Sequence, residues 1–236
     1  MILLLPPSEG KAAGGVPRTS WNPARGSTGR ALGDLRSEVA AALARVGGGN
    51  QTLLGVKGEV LARARAANAG LVGSPTLPAW QRYTGVVWDH LDLSSMPPGG
   101  RQKAIQSILV PSGLMGLVRA DDPVPEYKLK MGASLPTVGK LVTHWRDAVT
   151  DELVRLAAGA EIIDLLPQEH RGAFDWARVP GVVRVDLVSR RGGRVGGHNA
   201  KAAKGLLARH LLASRGTTAA RLESFAHDEY AARITG

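Results

Sequence analysis

Ser8, Glu9 and Lys11 form a polar cluster directly after an apolar run in the opening stretch MILLLPPSEGK. A hydroxyl, a carboxyl and an amine this close in the chain could donate a hydrogen bond, transfer a proton and pair with an anion. The spacing G-x-x-x-x-G-K-[ST] is absent, so the lysine does not indicate a nucleotide P-loop. Because α/β proteins bind ligands at the carboxyl ends of strands, we interpret the cluster as one corner of a pocket. A solvated turn is the alternative.

The stretch TLLGVKGEVLARA, residues 52–64, has the spacing of a helix-hairpin-helix. Its glycines would permit a tight turn and let backbone N–H groups approach a phosphate at a helix N-terminus. Such an element binds the nucleic-acid backbone without reading bases, so residues 52–68 predict non-specific binding of double-stranded DNA. A helical hairpin whose glycines are purely structural explains the pattern equally well. The predicted DNA contacts are Gly55, Lys57, Gly58, Arg63 and Arg65.

The stretch GLMGLVRADDPVPEYKLKMG, residues 113–132, gathers charged groups into one loop interrupted by prolines. Asp121 and Asp122 could together bind a metal, but no histidine lies near enough in sequence to complete a ligand set, so no metal site is predicted. We interpret Asp122 and Tyr127 as pocket residues and Lys128 as an anion ligand. A buried network of aspartate with arginine or tyrosine, holding the loop, is the alternative.

A second anion site is predicted in GGHNAKAAKGLLARHLL, residues 196–212. Lys201 and Lys204 are three residues apart and share one face of a predicted helix near its N-terminus. Two ammonium groups and the helix N–H groups would then converge where an anion can bind. Asn199 could cap this helix, and His198 could donate a proton.

The composition limits the possible classes of protein. The chain has 236 residues, 44% of them hydrophobic and 21% charged, which suits one large globular domain or two small ones. It has no cysteine, so disulfides, thiolate metal sites and a thiol nucleophile are excluded. The apolar run at residues 2–5 is too short for a signal segment, and no stretch approaches a membrane span, so we expect a cytoplasmic protein without a membrane partner.

The net charge of +10 is concentrated in one part of the chain. Residues 171–221 contain eleven Lys and Arg against only Asp175 and Asp186. A basic lobe of this density would attract polyanions, whereas an arginine-rich solvated surface is the alternative.

The elements that must position these residues alternate between strands and helices, which predicts a mixed α/β architecture. A long loop without periodicity is expected at residues 6–30. The segment 86–88 reads as β-like before a short helix, the turn SRRGGR at 189–194 is expected to follow the last strand, and short helical pieces are expected after residue 213. The predicted strands are 2–5, 108–110, 161–165 and 182–188, and the main predicted helices are 35–46, 141–156 and 200–213.

Several of these stretches together resemble the YaaA family of peroxide stress proteins. They occur in the family's order and cover essentially the whole chain, and the block at 112–132 is the strongest of them. They are LLLPPSEGK, RYTGVVW at 82–88, SGLMGLVRADDPVPEYKLKMG at 112–132, HWRDAV at 144–149 and KAAKGLLAR at 201–209.

The resemblance implies a single α/β domain of unusual topology over residues 1–236, with a helix-hairpin-helix element, DNA binding and protection against hydrogen peroxide. Two segments depart from the family pattern. Tyr127-Lys128-Leu129 replaces the usual YRL, so a bidentate anion clamp becomes a point charge. GRVGGHNAK at 193–201 replaces an apolar strand and weakens the anion site predicted beside it.

Two functions from different classes therefore remain open. The first is a stress protein that binds double-stranded DNA without sequence preference. The second is an enzyme acting on a phosphorylated or carboxylated small molecule, perhaps a nucleotide, in a pocket at the strand ends; no cofactor is identified. The pocket candidates are Ser8, Glu9, Lys11, Asp122, Tyr127 and Asp164, and the candidate anion ligands are Tyr83, Lys128, His198, Asn199, Lys201 and Lys204.

Overall fold

A computed structural model describes residues 1–192 and 195–235. Strands and helices are interspersed along the chain, and the predicted mixed α/β architecture is confirmed. The strands are β1 Ile2–Leu4, β2 Gly10–Lys11, β3 Thr76–Pro78, β4 Tyr83–Thr84, β5 Ile108–Ser112, β6 Gly116–Arg119, β7 Pro123–Pro125, β8 Ser134–Leu135, β9 Gly139–Lys140, β10 Ile162–Asp164, β11 Val182–Ser189 and β12 Tyr230–Ile234. The helices are α1 Gly29–Arg45, α2 Gln51–Leu54, α3 Gly58–Ala69, α4 Ala79–Arg82, α5 Val86–Leu91, α6 Pro98–Ser107, α7 Leu141–Ala157, α8 Gln168–Arg171, α9 Gly197–Ala213 and α10 Thr218–Glu223.

Six strands form the main sheet in the order β12-β11-β10-β1-β5-β6. The four central strands are parallel, and β12 and β6 pair antiparallel at the two edges. In β1, Leu3 lies opposite Ile163 on one side and Ile108 on the other. Leu3 and Leu4 are fully buried, which explains why a short run of leucines becomes a central strand rather than a surface one. Pro6 and Pro7 follow at once, and the chain turns at the carboxyl edge of the sheet.

The long helices cover this sheet with their apolar faces. In α7, Trp145, Val149 and Leu153 are all fully buried, as the helical spacing predicts. α7 packs against α1 and β6, and α9 packs against α5, α10 and the strands β11 and β12. Gly205 of α9 makes the contact with α5 possible, because a Cβ there would lie 2.3 Å from the carbonyl oxygen of Val87.

Four local predictions are wrong. Val86–Leu91 is a helix, since Gly85, with φ 126°, turns the chain directly from β4 into α5. The helix α1 begins at Gly29, inside the loop predicted at residues 6–30. The end of the chain is not all helical, because Tyr230–Ile234 pairs with β11 as an edge strand. α9 begins at Gly197, so Asn199 lies inside its first turn and Gly196 takes the cap position.

The predicted turn at 189–194 falls partly on residues 193 and 194, which lie outside the described residues. No helix in the described part of the chain is both long and apolar enough to cross a bilayer.

Candidate functional site

Lys11 lies in a corner formed where β2 pairs with β4 at the carboxyl edge of the sheet. Lys11 stands opposite Tyr83 in this pair. Its Nζ donates a hydrogen bond to the Ser8 carbonyl at 3.0 Å and lies 4.1 Å from the centre of the Tyr127 ring. The Ser8 hydroxyl donates to the carbonyl of Gly10, which closes the turn. Burial, followed by repulsion from Lys128, lowers the pKa of Lys11 to about 7. The amine is therefore poised to titrate near neutral pH.

Two buried tyrosines form the floor under Lys11. The hydroxyl oxygens of Tyr83 and Tyr127 lie 3.1 Å apart, and that of Tyr127 lies 2.7 Å from Ser112 Oγ. Ser112 in turn accepts a hydrogen bond from the Met115 N–H. Burial raises the pKa of both tyrosines, so they are neutral aromatic walls rather than phenolates at physiological pH.

A cleft of about 260 Å³ opens above this floor, between α3 and the segments that carry Lys11 and Lys128. We call it the Lys11 cleft. Its lining residues are Glu9, Gly10, Lys11, Val60, Arg63, Ala64, Ala67, Glu126, Tyr127 and Lys128.

Charged side chains ring the Lys11 cleft in opposite-sign pairs. Glu9 lies 3.4 Å from Lys128 Nζ and 3.6 Å from Lys130 Nζ, and Arg63 Nε lies 2.7 Å from Glu126. Burial would raise the pKa of Glu9, but the attraction of Lys128 and Lys130 outweighs it and lowers that pKa. Glu9 and Arg63 are more than half exposed, so these pairs can be exchanged for contacts with an incoming anion at low cost.

The helical hairpin borders the same cleft. Asn50 caps α2 by accepting a hydrogen bond from the Leu53 N–H, and Gly55, with φ 66°, ends that helix. A Cβ at Gly55 would lie 3.7 Å from Lys130 Nζ. The hairpin turn therefore meets the charged stretch at residues 113–132, which we call the central loop. Lys57 and Gly58 are exposed at the start of α3, whereas Arg65 donates to the carbonyl of Gly47 at 3.3 Å and leans away toward α1.

Asn68 fastens the hairpin to the central loop. Its amide nitrogen donates to the carbonyls of Gly48 and Lys128 at 2.9 and 2.8 Å, and its amide oxygen accepts from the Lys128 N–H at 2.9 Å. Asn68 is 1% exposed. Sequence reasoning missed this residue, although a buried asparagine in the otherwise alanine-rich segment ARAANAG is a poor helix former and hence a signal.

Asp122 lies apart from the Lys11 cleft and holds the central loop to the start of α1. Its carboxylate accepts hydrogen bonds from the Ser27 N–H, the Ser27 hydroxyl and the Arg119 N–H, at 2.6, 2.6 and 2.8 Å. Asp122 therefore holds the loop, as in the alternative to a pocket role, but its partners are Ser27 and the Arg119 backbone rather than an arginine or tyrosine side chain.

Asp164 belongs to a second polar cluster, at the end of β10. The fully buried carboxylate accepts from the Leu166 N–H at 2.8 Å and pairs with Arg171 Nε at 2.7 Å and Arg184 Nε at 3.4 Å. Lys204 Nζ donates to the Leu165 carbonyl at 2.7 Å beside it. Burial, followed by repulsion from Arg171, lowers the pKa of Lys204.

The remaining candidates lie at the start of α9. His198, Asn199 and Lys201 are exposed, and the Asn199 amide donates to Glu229 at 3.4 Å. The sequence candidates thus fall in separate places. Glu9, Lys11, Tyr83, Tyr127 and Lys128 come together at the Lys11 cleft, with Ser8 in its turn and Arg63 on its wall.

The family relationship of the chain follows from comparison with known proteins. The family model described as peroxide stress protein YaaA matches residues 1–234. The chain belongs to the YaaA family. The stretches PPSEGK and PVPEYKLKMG, which carry the Lys11 cleft, lie within this match.

Relatives of similar length occur in Streptomyces and Corynebacterium. A UPF0246 protein of Streptomyces coelicolor is 34% identical over 91% of this chain and 84% of its own length. UPF0246 proteins of Corynebacterium glutamicum and Corynebacterium efficiens are 34% and 33% identical, over 91% and 96% of this chain and 86% and 91% of their own lengths. This YaaA-family chain therefore aligns with these three relatives along nearly all of its length.

Proposed function

We propose that this protein binds double-stranded DNA without sequence preference through the Lys11 cleft and the adjoining hairpin, and that this binding serves the peroxide stress response. The observation that carries the proposal is the meeting of the hairpin turn with the cationic central loop, where Gly55 adjoins Lys130. Membership of a peroxide stress family supports the biological setting.

The chemistry of the cleft suits a phosphodiester backbone. Lys128 and Lys130 from the loop and Arg63 from α3 offer cations from two elements, each now paired with a carboxylate. Phosphates can displace such exposed pairs and release counterions from DNA, which gives affinity without base recognition. The exposed N–H groups at the start of α3 would add backbone donors beside Lys57.

The decisive experiment measures the anisotropy of a fluorescent duplex of random sequence over a series of salt concentrations. We expect log K to fall linearly with log[salt], with a slope of roughly −0.9 for each phosphate contacted. Lys128→Glu combined with Lys130→Glu should lower affinity at least about tenfold and make the slope shallower. The control is Lys103→Glu with Lys140→Glu, which changes the net charge equally at two exposed positions outside the cleft.

Equal losses in the two double variants would mean that only overall charge matters, and this would contradict the cleft assignment. Lys57→Glu with Arg63→Glu tests the hairpin in the same assay, and unchanged affinity at low salt would remove the hairpin from the site. A thermal shift with a nucleotide panel, in the absence of DNA affinity, would instead support an enzyme that acts on a phosphorylated small molecule.

A further inference from the structure

Lys11 is placed as a nucleophile rather than as a surface cation. Its amine lines the cleft, held between the Ser8 carbonyl and the rings of Tyr127 and Tyr83, at 4.1 and 5.6 Å from their centres. The ring faces attract an ammonium group, but burial and the neighbouring charges of Lys128 and Arg82 act against it. With a pKa of about 7, a large share of Lys11 is neutral amine at physiological pH. Neutral lysines in dry, aromatic surroundings react with carbonyl groups.

The size of the cleft limits what can reach Lys11. Pockets that hold whole small molecules usually measure about 300 to 1,000 Å³, and the Lys11 cleft, at about 260 Å³, is smaller. It has room for a sugar-sized group. Its cations stand on both the central loop and α3, where they can hold phosphates that flank such a sugar.

We propose that Lys11 forms a covalent imine with the aldehyde of an abasic sugar in DNA held at this cleft. The proposal rests on the DNA binding proposed above and names the lesion that the site would accept. A deoxyribose that has lost its base opens to an aldehyde and is flanked by phosphates, so it offers both a carbonyl carbon for Lys11 and anions for the surrounding cations.

The reaction balances without a cofactor. The lone pair of the Lys11 nitrogen attacks the carbonyl carbon, and the carbonyl oxygen takes up a proton to give a carbinolamine. The carbon–oxygen bond then breaks, and the two hydrogen atoms that the amine gives up leave with the oxygen as one water. The product is a nitrogen–carbon double bond between Lys11 and the sugar, which hydride reagents reduce to a stable amine.

Trapping with cyanoborohydride tests the assignment. Wild-type protein is incubated with a labelled duplex containing one abasic site and with the intact duplex, and covalent products are separated on denaturing gels and mapped by mass spectrometry. We expect an adduct on the Lys11 peptide with the abasic duplex only. Lys11→Met should reduce its rate at least about tenfold at equal DNA occupancy, since methionine keeps the length of the side chain but cannot form an imine. Lys103→Met, at an exposed position of α6, is the matched control and should trap like the wild type.

The outcomes separate this proposal from the DNA-binding one. Normal duplex affinity with adducts scattered over surface lysines or the terminal amine would overturn the role of Lys11 and leave DNA binding intact. Trapping of 2-deoxyribose 5-phosphate on Lys11 at the same rate as the abasic duplex would overturn the assignment to DNA. If the protein does not bind duplex DNA, both the proposed function and the assignment of an abasic site as the substrate of Lys11 are contradicted. The mass-spectrometric mapping uses the wild-type protein, so it identifies the lysine that forms the adduct even if Lys11→Met folds poorly.

Discussion

The amine nitrogen of Lys11 lies 4.1 Å from the centre of the Tyr127 ring, whose own hydroxyl lies 2.7 Å from Ser112 at the end of β5. This relationship joins the start of the chain to β5 and the loop that follows β5. Strand β1 leads to the lysine, β5 supplies the serine, and the central loop supplies the tyrosine between them. The position of Lys11 therefore depends on the main sheet.

The first prediction is that stability rises with pH in a window set by Lys11. Its pKa is about 7 in the folded protein and 10.5 for an unperturbed lysine, so between these values the unfolded chain holds a proton that the folded chain has released. More protons bound in the unfolded state mean that stability increases with pH. The groups that act on the charge of Lys11 are Glu9, Arg82, Glu126 and Lys128, and burial raises the pKa of Tyr83 and Tyr127 beside it.

Urea denaturation of wild type and Lys11→Met at several pH values from about 7 to 9.5 measures this effect. We expect the unfolding free energy of the wild type to rise steadily relative to that of Lys11→Met as the pH increases. Parallel curves would show that Lys11 keeps its ordinary pKa, and its role as a nucleophile near neutral pH would lose its support.

The second prediction concerns Asn68. Asn68→Ala removes three hydrogen bonds and leaves the buried N–H of Lys128 without its acceptor, which should cost about 1 to 3 kcal/mol of unfolding free energy. Because Lys128 then loses its anchor to α3, duplex affinity should fall as well. Asn22→Ala, at an exposed asparagine with one local hydrogen bond, should cost about 1 kcal/mol or less and leave affinity unchanged. A stability loss without any loss of affinity would mean that Lys128 is not positioned by Asn68.

The sequence pattern was most informative for the four parallel strands of the main sheet. The segments 2–5, 108–110, 161–165 and 182–188 all contain strands of the main sheet. The pattern failed at Tyr230–Ile234, because this strand exists only through its pairing with β11, a partner about 40 residues away. It failed at residues 86–88, which read as β-like, because Gly85, with φ 126°, turns the chain directly from β4 into α5.

Part of the candidate site could also be predicted, because some of its residues are placed by the ends of these strands. Glu9, Lys11, Tyr127 and Lys128 follow strand ends or lie in one charged loop, and they share one cleft. Asp164 also follows a strand, but the arginines that neutralise it, Arg171 and Arg184, could be counted in the sequence only as part of a basic lobe. Which cation pairs with which carboxylate is decided by the fold.

The third prediction is that Asp164 is important for stability. Asp164→Asn removes the buried carboxylate that pairs with Arg171, whose side chain is 10% exposed. Arg171 keeps its second pair, with Asp186 at 3.0 Å, so the change should cost about 1 to 3 kcal/mol. The matched change Asp121→Asn breaks the half-exposed pair with Arg119 and should cost about 1 kcal/mol or less. Equal costs in thermal or urea denaturation would argue against a buried ion network at the end of β10.

The fourth prediction tests the contact between α5 and α9. Gly205→Ala would place a Cβ 2.3 Å from the Val87 carbonyl oxygen and 2.7 Å from His90 Cβ, so the helices must separate, at a cost of about 1 to 3 kcal/mol. Gly99→Ala in α6 has open space around it and should stabilise by about 0.5 to 1 kcal/mol through helix propensity. Melting temperatures that shift in opposite directions would support the packing, whereas a neutral Gly205→Ala would contradict it.

The pairing of β1 with β5 and β10 has a consequence for how the protein folds. Leu3 pairs with Ile108 and Ile2 with Ile162, so the central strand closes loops of more than a hundred residues and has no nearby partner. Closing such loops costs chain entropy before the strand contacts have formed to offset it. Proteins dominated by contacts between residues far apart in sequence therefore fold slowly. The corner that bears Lys11 is attached to this strand, so it becomes ordered only as the sheet assembles, and a partly folded chain would present its lysine without the cleft that gives it a function.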